Sequence, residues 1–275
     1  MNWGPTRLRA GVARLQALAR LLKVFVVRDL REQYAGTLLG GVWALLQPAL
    51  LVAIYWWVFG VVWSLKVPAL RPGGGEFSFV VFLLSGLLPW LAFQDAVNKS
   101  ATAVLSRADV LRHGNFPVAV FPLARGVAAH VIFAIMLLLF VFTARSAVLQ
   151  QHPLMLPTLF ALFSLQLAAA LGIGLVLAAL TVYVRDIPHL LGMGLMGILF
   201  TAPILYPLSQ VPEAMRALIW FNPYTPFAVG YQSLLLEGAL PDITVWSYAL
   251  VQAVGFWAFG AYVFHRLRPG FADVV

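Results

Sequence analysis

Long apolar runs, separated by short polar or proline-containing segments, dominate the pattern of this chain. A helix that crosses a membrane needs about 20 apolar residues at a rise of about 1.5 Å each. The sequence predicts six such spans, over 42–64, 77–97, 119–143, 156–181, 189–206 and 244–264. We therefore expect an all-α, polytopic membrane protein with six transmembrane helices.

The segment before the first predicted span has a different pattern. Its apolar residues recur every three or four positions, and most of its basic residues fall on the opposite side. The apolar positions are Leu8, Val12, Leu15, Leu18, Leu22 and Phe25. This spacing predicts an amphipathic helix in the cytoplasmic interface over residues 1–35, ahead of a six-span domain over 36–275. Anchoring in anionic lipid is its simplest role, and framing a docking surface for a partner is the alternative.

Residues 207–240 are apolar but interrupted by prolines. The pieces can enter a membrane yet are too short to cross it. Their backbone groups must then be satisfied inside protein or along a cavity. We expect short re-entrant or interfacial helices on the outer side, just before the last span.

Composition and charge support a membrane location. The 275 residues are 62% hydrophobic and 10% charged, so a water-soluble core cannot contain the apolar side chains. The net charge of +8 comes without a long solvated domain, which argues against nucleic acid as a partner. If the N-terminus is cytoplasmic, 14 of the 18 lysines and arginines lie on the cytoplasmic face. This asymmetry predicts that both termini are cytoplasmic.

The sequence contains no motif in a context that supports enzymatic chemistry. Residues 192–197 match the GxGxxG pattern, but they open a predicted span instead of following a strand, so close helix packing explains them better than a nucleotide. No Walker A pattern, metal-ligand spacing or hydrolase motif occurs, and the five histidines are scattered. Asp95 is the one acidic residue clearly inside a predicted span, which argues against an ion-driven pump.

Two predicted cytoplasmic loops, 106–117 and 183–188, join charged residues to an apolar residue and a proline. They are either solvated turns or short coupling helices that insert into a separate ATPase. The candidate coupling residues are Arg107, Asp109, Arg112, Phe116, Arg185 and Asp186.

Aromatic residues crowd the outer half of the first span and recur in the second: Tyr55, Trp56, Trp57, Phe59, Trp63, Trp90 and Phe93. Because neighbouring residues cannot share one helix face, some must belong to the interfacial aromatic belt. Those that face inward are candidates to stack on sugar rings along a glycan channel.

The order and spacing of several short motifs resemble the membrane subunit of ABC-2 polysaccharide exporters, which export capsule, O-antigen or teichoic acid. The matching features are the N-terminal helix, Arg28-Asp29 to Tyr34, Gly36-Thr37, Leu39-Gly40, Trp43, Gln47-Pro48, Val184-Arg185-Asp186, Asn222-Pro223 and Glu237-Gly238. One departure is Gln232, where many relatives carry arginine. It weakens the expectation of an anion contact there.

The resemblance implies an ABC-2, type V exporter-like fold in the bacterial inner membrane. It implies a homodimer with two copies of a soluble ATPase that binds ATP and Mg²⁺, and no cofactor in this chain. It favours coupling helices for both loops, and it implies a lipid-linked polysaccharide as the substrate, with periplasmic export proteins as further partners. The phosphate of the lipid linker would arrive near Arg28, Asp29, Arg31 and Tyr34.

On this basis the chain is a transport subunit without its own ATPase site, and not an enzyme. Capsular polysaccharide is slightly favoured because no added substrate-recognition domain is visible. The alternatives are an ABC-2 exporter of drugs or lipids, and a membrane transferase acting on lipid-linked sugars. The transferase would need clustered acidic or histidine residues near the membrane surface.

Overall fold

The computed structural model describes residues 5–68, 76–107, 116–144 and 154–274; for 5–12, 14–15, 143–144 and 272–273 it describes the backbone alone. The helices are α1 (Pro5–Glu32), α2 (Trp43–Tyr55), α3 (Phe79–Ala101), α4 (Val120–Ala144), α5 (Met155–Tyr183), α6 (Ile187–Thr201), α7 (Glu213–Ile219), α8 (Thr225–Glu237), α9 (Ile243–Leu267) and α10 (Phe271–Val274). Shorter 3₁₀ turns occupy Gly40–Val42, Leu105–Arg107, Leu208–Gln210 and Arg268–Gly270, and a π-helical segment, Trp56–Val62, continues α2. Two short antiparallel strands, β1 (Lys66–Pro68) and β2 (Glu76–Ser78), follow it.

The chain is all-α, as predicted, but a count of six spans is not confirmed. Within the described residues, five helical stretches are long and apolar enough to cross a membrane: Gly40–Val62, Phe79–Ala101, Val120–Phe142, Met155–Tyr183 and Ile243–Gly270. The predicted span over 189–206 is instead α6, which has 15 residues and extends about 22 Å. Its last turn ends at Thr201, and the chain then bends through Pro203 and Pro207.

The core lies around α3. Sixteen of the 23 residues of α3 are buried, because α4, α5 and α8 pack around it. The Trp90 ring meets the Tyr224 ring edge-on at 4.8 Å between centroids, and Phe93 lies 5.4 Å from the same ring. Contacts of this kind connect the short helix α8 to the centre of the bundle.

Helices α5 and α9 approach until their backbones touch. The closest point joins Gly172 to Gly260, where a side chain on either glycine would overlap backbone atoms of the other helix. Small residues permit such approaches in membrane proteins, where van der Waals packing holds helices together. This contact fixes the last long helix to the bundle.

The turn between α1 and α2 depends on two glycines. Gly36 and Gly40 have φ angles of +79° and +51°, a region that side chains other than glycine's adopt at a cost. The turn redirects the chain from α1 into the first candidate span.

Residues 207–240 form short helices, as predicted. Ten of the 13 residues of α8 are buried in the subunit, which satisfies the requirement that non-spanning backbone be enclosed. In contrast, α7 has no buried residue. Gly238, with a φ of +62°, ends α8 in a left-handed cap.

Candidate functional site

The candidate site lies at the end of the bundle predicted to face the cytoplasm, where α1 packs on α4 and the end of α1 meets the end of α3. Phe25 of α1 contacts Phe116 and Phe121 edge-on, at 5.7 and 5.4 Å between ring centroids. This apolar contact sets the position of the polar end of α1. The charged residues of α1 are thereby brought to the ends of α3 and α4.

An ionic cluster connects α1 to the turn after α3. Arg107 places Nη2 3.0 Å from Glu32 Oε2 and 3.8 Å from Asp29 Oδ1. Arg28 pairs with Glu32 from within α1. The Arg107 side chain is 19% exposed, so its charge is directed at α1 and away from bulk solvent.

The two acidic residues of this cluster respond differently to their surroundings. Burial raises the pKa of Asp29 above its ordinary value, and the nearby arginines oppose that shift without cancelling it. The hydrogen bond from Arg28 lowers the pKa of Glu32. Glu32 is therefore ionised at neutral pH.

A second polar group continues the cluster into the bundle. Lys99 donates to Asp95 at 2.6 Å, one turn away on α3, and to the Gln33 side chain at 3.1 Å. Gln33 in turn donates to the Tyr34 hydroxyl at 2.8 Å. The end of α1 is thus tied to the end of α3 by polar contacts.

Three adjoining depressions follow these residues, and they share lining residues. The basic groove, about 530 Å³, is lined by Lys23, Val24, Val27, Arg28, Arg31 and Glu32. The ionic cavity, about 300 Å³, is lined by Asp29, Glu32, Gln33, Lys99, Arg125 and Ala128. The amide cavity, about 380 Å³, lies between α2, α3 and α4, and its polar lining includes Gln33, Tyr34, Gln47, Gln94, Asp95, Asn98 and Lys99. Glu32 joins the first two, and Gln33 with Lys99 joins the last two.

The predicted entrance residues Arg28, Asp29, Arg31 and Tyr34 are brought together by this geometry. Arg28 and Arg31 line the basic groove, Asp29 lines the ionic cavity, and Tyr34 lines the amide cavity. Their role in receiving a lipid linker stays a prediction.

The predicted coupling residues fall in different places. Arg185 and Asp186 are exposed in the short turn between α5 and α6. Phe116 is packed against Phe25 and Phe121, and Arg107 contacts α1. Asp109 and Arg112 lie outside the described residues.

The predicted channel aromatics separate into an exposed set and a buried set. The side chains of Trp56, Trp57 and Trp63 are close to 60% exposed on the outside of the subunit. Tyr55 and Phe59 stack on each other and are half-buried.

Trp90 and Phe93 do not fit the predicted glycan contact. Both are 0% exposed, because Tyr224 and the core around α3 enclose them. No surface of either ring is open to a sugar within the subunit.

Two residues of the motif region act structurally. The Asn222 amide donates to Ile198 O at 2.8 Å and to Thr201 Oγ1 at 2.7 Å, while its oxygen accepts from Tyr224 N at 2.8 Å. Gln232 is 1% exposed and donates to Pro203 O at 2.7 Å. Position 232 is thus enclosed, and a backbone carbonyl satisfies its amide.

Sequence reasoning missed the amide cavity as a site. Its signal was present in α3, where Gln94 and Asn98 are four residues apart, as are Asp95 and Lys99. Two such pairs put a polar stripe on one side of an otherwise apolar span. Asp95 alone was noticed, because it is charged.

Comparison with known proteins agrees with the resemblance drawn from the motifs. The family profile described as "ABC-2 type transporter" matches residues 20–236. The O-antigen export system permease protein RfbA of Myxococcus xanthus is 30% identical, over 93% of this chain and 95% of its own length. A Klebsiella pneumoniae protein with the same description is 24% identical over the same shares. The polysialic acid transport protein KpsM of Escherichia coli is 24% identical over 74% of this chain and 76% of its own.

Proposed function

The chain belongs to the ABC-2 type transporter family, and we propose that it is the membrane subunit that exports a lipid-linked surface polysaccharide across the bacterial inner membrane. The observation that carries the proposal is the similarity to polysaccharide export permeases over 93% of the chain. As a family member the chain is a transport component and not itself an enzyme. Energy would come from ATP and Mg²⁺ bound by a partner ATPase.

The relatives are named for two kinds of surface glycan. The sequence alone slightly favoured capsule. Two relatives that match over 93% of the chain are named for O-antigen export, and one that matches over 74% is named for polysialic acid transport, so the proposal covers a surface polysaccharide of either kind.

The entrance geometry is suited to an anionic lipid linker. Lys23, Arg28 and Arg31 line one groove on α1, at the level where a cytoplasmic leaflet would present phosphate. With α1 and both termini on the cytoplasmic side, this groove is the first surface that a lipid-linked glycan meets. The ionic cavity then leads from it into the bundle.

Two copies of the chain would complete the pathway. Pro48 is the one buried residue of α2 and Leu195 the one buried residue of α6, so both apolar helices leave most of their surface uncovered within the subunit. Gly192, Gly194 and Gly197 have no atom near the position of an added side chain. Gly194 and Gly197 lie on one side of α6, which permits close approach of a second subunit, and the exposed tryptophans after α2 would then line a path between the copies.

The exposed turn at Arg185 and Asp186 would be the accessible ATPase contact, and the 106–117 loop is the second candidate contact. Since Arg107 binds α1, motion of that loop would be transmitted to the entrance. Two soluble ATPase subunits would therefore act on the basic groove through Arg107.

Deleting the gene in the native host tests the function. We expect loss of surface glycan with accumulation of cytoplasmic glycolipid, and recovery when the wild-type chain is restored. Unchanged glycan on both sides would contradict the proposal and favour a drug or lipid exporter.

Charge reversal tests the groove. We expect Arg28→Glu with Arg31→Glu to reduce export, while Arg266→Glu, an exposed arginine of α9, leaves it intact. If both variants export glycan equally and insert equally into the membrane, the proposed contact between the linker and these two arginines is contradicted.

A further inference from the structure

A short segment after α9 contacts the end of the 106–117 loop. This segment, residues 267–271, is called the strap below, and it comprises the last residue of α9, the turn Arg268–Gly270 and the first residue of α10. Arg268 Nη2 donates to Phe116 O at 3.2 Å, across 152 residues of sequence. The strap is therefore joined to the first of the two candidate ATPase contacts.

The strap also contacts the base of the second candidate ATPase contact, through the last residue of α5. The Tyr183 hydroxyl donates to Leu267 O at 2.7 Å. The Phe271 ring lies 6.0 Å from the Tyr183 ring between centroids, and a Cβ added at Gly270 would lie 2.5 Å from the Tyr183 hydroxyl. The exposed turn at 185–186 follows two residues after Tyr183, so the strap holds the point from which this turn leaves the bundle.

Apolar packing beneath these hydrogen bonds fixes the strap in place. Phe271 is 2% exposed and meets the Phe264 ring edge-on at 5.5 Å between centroids. The same apolar cluster includes Phe121 of α4 and Val182 of α5, and Phe116 packs against it. Both hydrogen bonds lie at the exposed edge of this cluster, so removing either one leaves the buried packing intact.

Helix capping explains one of the two hydrogen bonds but not the other. Leu267 O is among the last carbonyls of α9, which lack partners within the helix, and the Tyr183 hydroxyl satisfies it. Arg268 caps nothing in α9, because its guanidinium reaches a carbonyl that precedes α4. A connection between the two loops accounts for both bonds.

We infer that Arg268 and Tyr183 are positioning residues that make the two candidate ATPase contacts move together. Motion of the turn after α5 passes through Tyr183 to the strap, and through Arg268 to the end of the 106–117 loop. Since Phe116 packs against Phe25, the same path reaches α1 and the entrance. The inference rests on the proposed function, in which both loops meet the ATPase.

Hydrogen exchange in the purified chain tests the connection without an ATPase. Arg268→Gln removes the contact at Phe116, and the readout is the turn on the other side of the strap. The amides of Ile187 and His189 report on that turn, because they donate to Val184 O at 3.3 Å and Asp186 O at 3.0 Å. We expect exchange there to be about threefold faster, within the range that one lost hydrogen bond supplies. Arg268→Lys keeps a cationic donor and should stay closer to the wild type.

Tyr183→Phe is the reciprocal variant, and it removes only the hydroxyl. Its readout is the pair of amides at Val120 and Phe121, at the start of α4, which donate to Pro117 O and Val118 O. We expect exchange at these amides to be about threefold faster as well.

Matched controls come from exposed side chains of α9. Within the described part of the chain, Tyr262 and Arg266 make no side-chain hydrogen bond, and both are exposed. Tyr262→Phe and Arg266→Gln should therefore exchange like the wild type. If Arg268→Gln and Tyr183→Phe each accelerate exchange only at their own loop, the two contacts are independent and the inference is overturned.

Transport in the assembled complex shows whether the connection is used. In inside-out vesicles holding the permease and its ATPase, Arg268→Gln and Tyr183→Phe should lower the glycan moved per ATP hydrolysed about threefold, since one hydrogen bond is lost from the coupling between the loops. The amount of bound ATPase should stay the same. A purely structural defect would lower export and hydrolysis together, and an unchanged ratio would overturn the inference. If the wild-type chain moves no glycan, the proposed function is contradicted, and hydrogen exchange still decides whether the strap joins the loops.

Discussion

Replacing Gly260 with alanine is expected to force α5 and α9 apart. The new Cβ would overlap the carbonyl oxygen of Gly172 and lie 2.8 Å from its carbonyl carbon, where ordinary contacts begin at 3.4 Å. The helices must therefore part by more than about 0.6 Å, and a gap of about 0.5–1 Å already forfeits a quarter to a half of a dispersion contact.

The expected cost follows from the atoms involved. Overpacking costs about 1–3 kcal/mol when side chains can shift. Here the obstacle is backbone, which cannot rotate away, so we expect the upper end, about 3 kcal/mol. At about 2–4 °C per kcal/mol for a chain of this size, the melting temperature should fall by about 6–12 °C.

Intrinsic fluorescence from the nine tryptophans provides the assay in detergent. Gly255→Ala is the matched control, since it lies on the same helix and nothing is within 4 Å of its added Cβ. Equal melting temperatures for Gly260→Ala, Gly255→Ala and the wild type would refute the argument that the α5–α9 contact is a backbone approach.

Three further predictions concern polar contacts. Asn222→Ala should lose about 2–4 kcal/mol of stability, since it removes three hydrogen bonds at about 0.5–1.5 kcal/mol each. The control is Asn98→Ala, which should melt like the wild type because the Asn98 side chain has no hydrogen-bond partner in the described structure. Equal losses in the two variants would contradict this. Arg107→Glu should increase hydrogen exchange in α1, and adding Glu32→Arg should recover part of the protection; no recovery would argue against the ion pair. Because Arg28, one turn away on the same helix, lowers the pKa of Glu32, the ionised carboxylate stabilises the last turns of α1 at neutral pH, and this contribution should be lost as pH falls below 4.5 and through the lower folded value. Glu32→Gln should flatten this acid dependence of the melting temperature, and an unchanged dependence would contradict the assignment.

The long helices could be predicted from the length of the apolar runs, because almost every residue of a helix buried in lipid or protein must be apolar. The span over 189–206 could not be resolved in the same way. Hydropathy continues past Thr201, but the prolines at 203 and 207 end the helix after 15 residues. Run length alone does not reveal where a helix stops inside an apolar segment.

Aromatic side chains were harder to interpret than helices. Trp56 and Trp90 both looked like candidates for stacking on sugar, because their residue type is the same. Their environments differ through a contact 134 residues away, where Tyr224 closes over Trp90. Only tertiary packing separates a core tryptophan from an exposed one.

The candidate site was predicted in part. The basic residues at 28 and 31 were identifiable because charge next to a span is conspicuous. The amide residues of α2 and α3 were not identifiable, because a single glutamine in a predicted span does not indicate whether it packs in the core or lines a cavity. Their convergence at one cavity depends on how α1 folds back on α3 and α4.

ATP-driven transport in inside-out membrane vesicles tests the central claim most directly. Vesicles holding this chain, its ATPase and lipid-linked glycan are incubated with ATP, and glycan protected from an added glycosidase is measured. We predict that protected glycan accumulates with ATP and this chain, and stays at background when either is omitted. Equal protection in vesicles lacking the chain would contradict the assignment of this protein as a polysaccharide exporter.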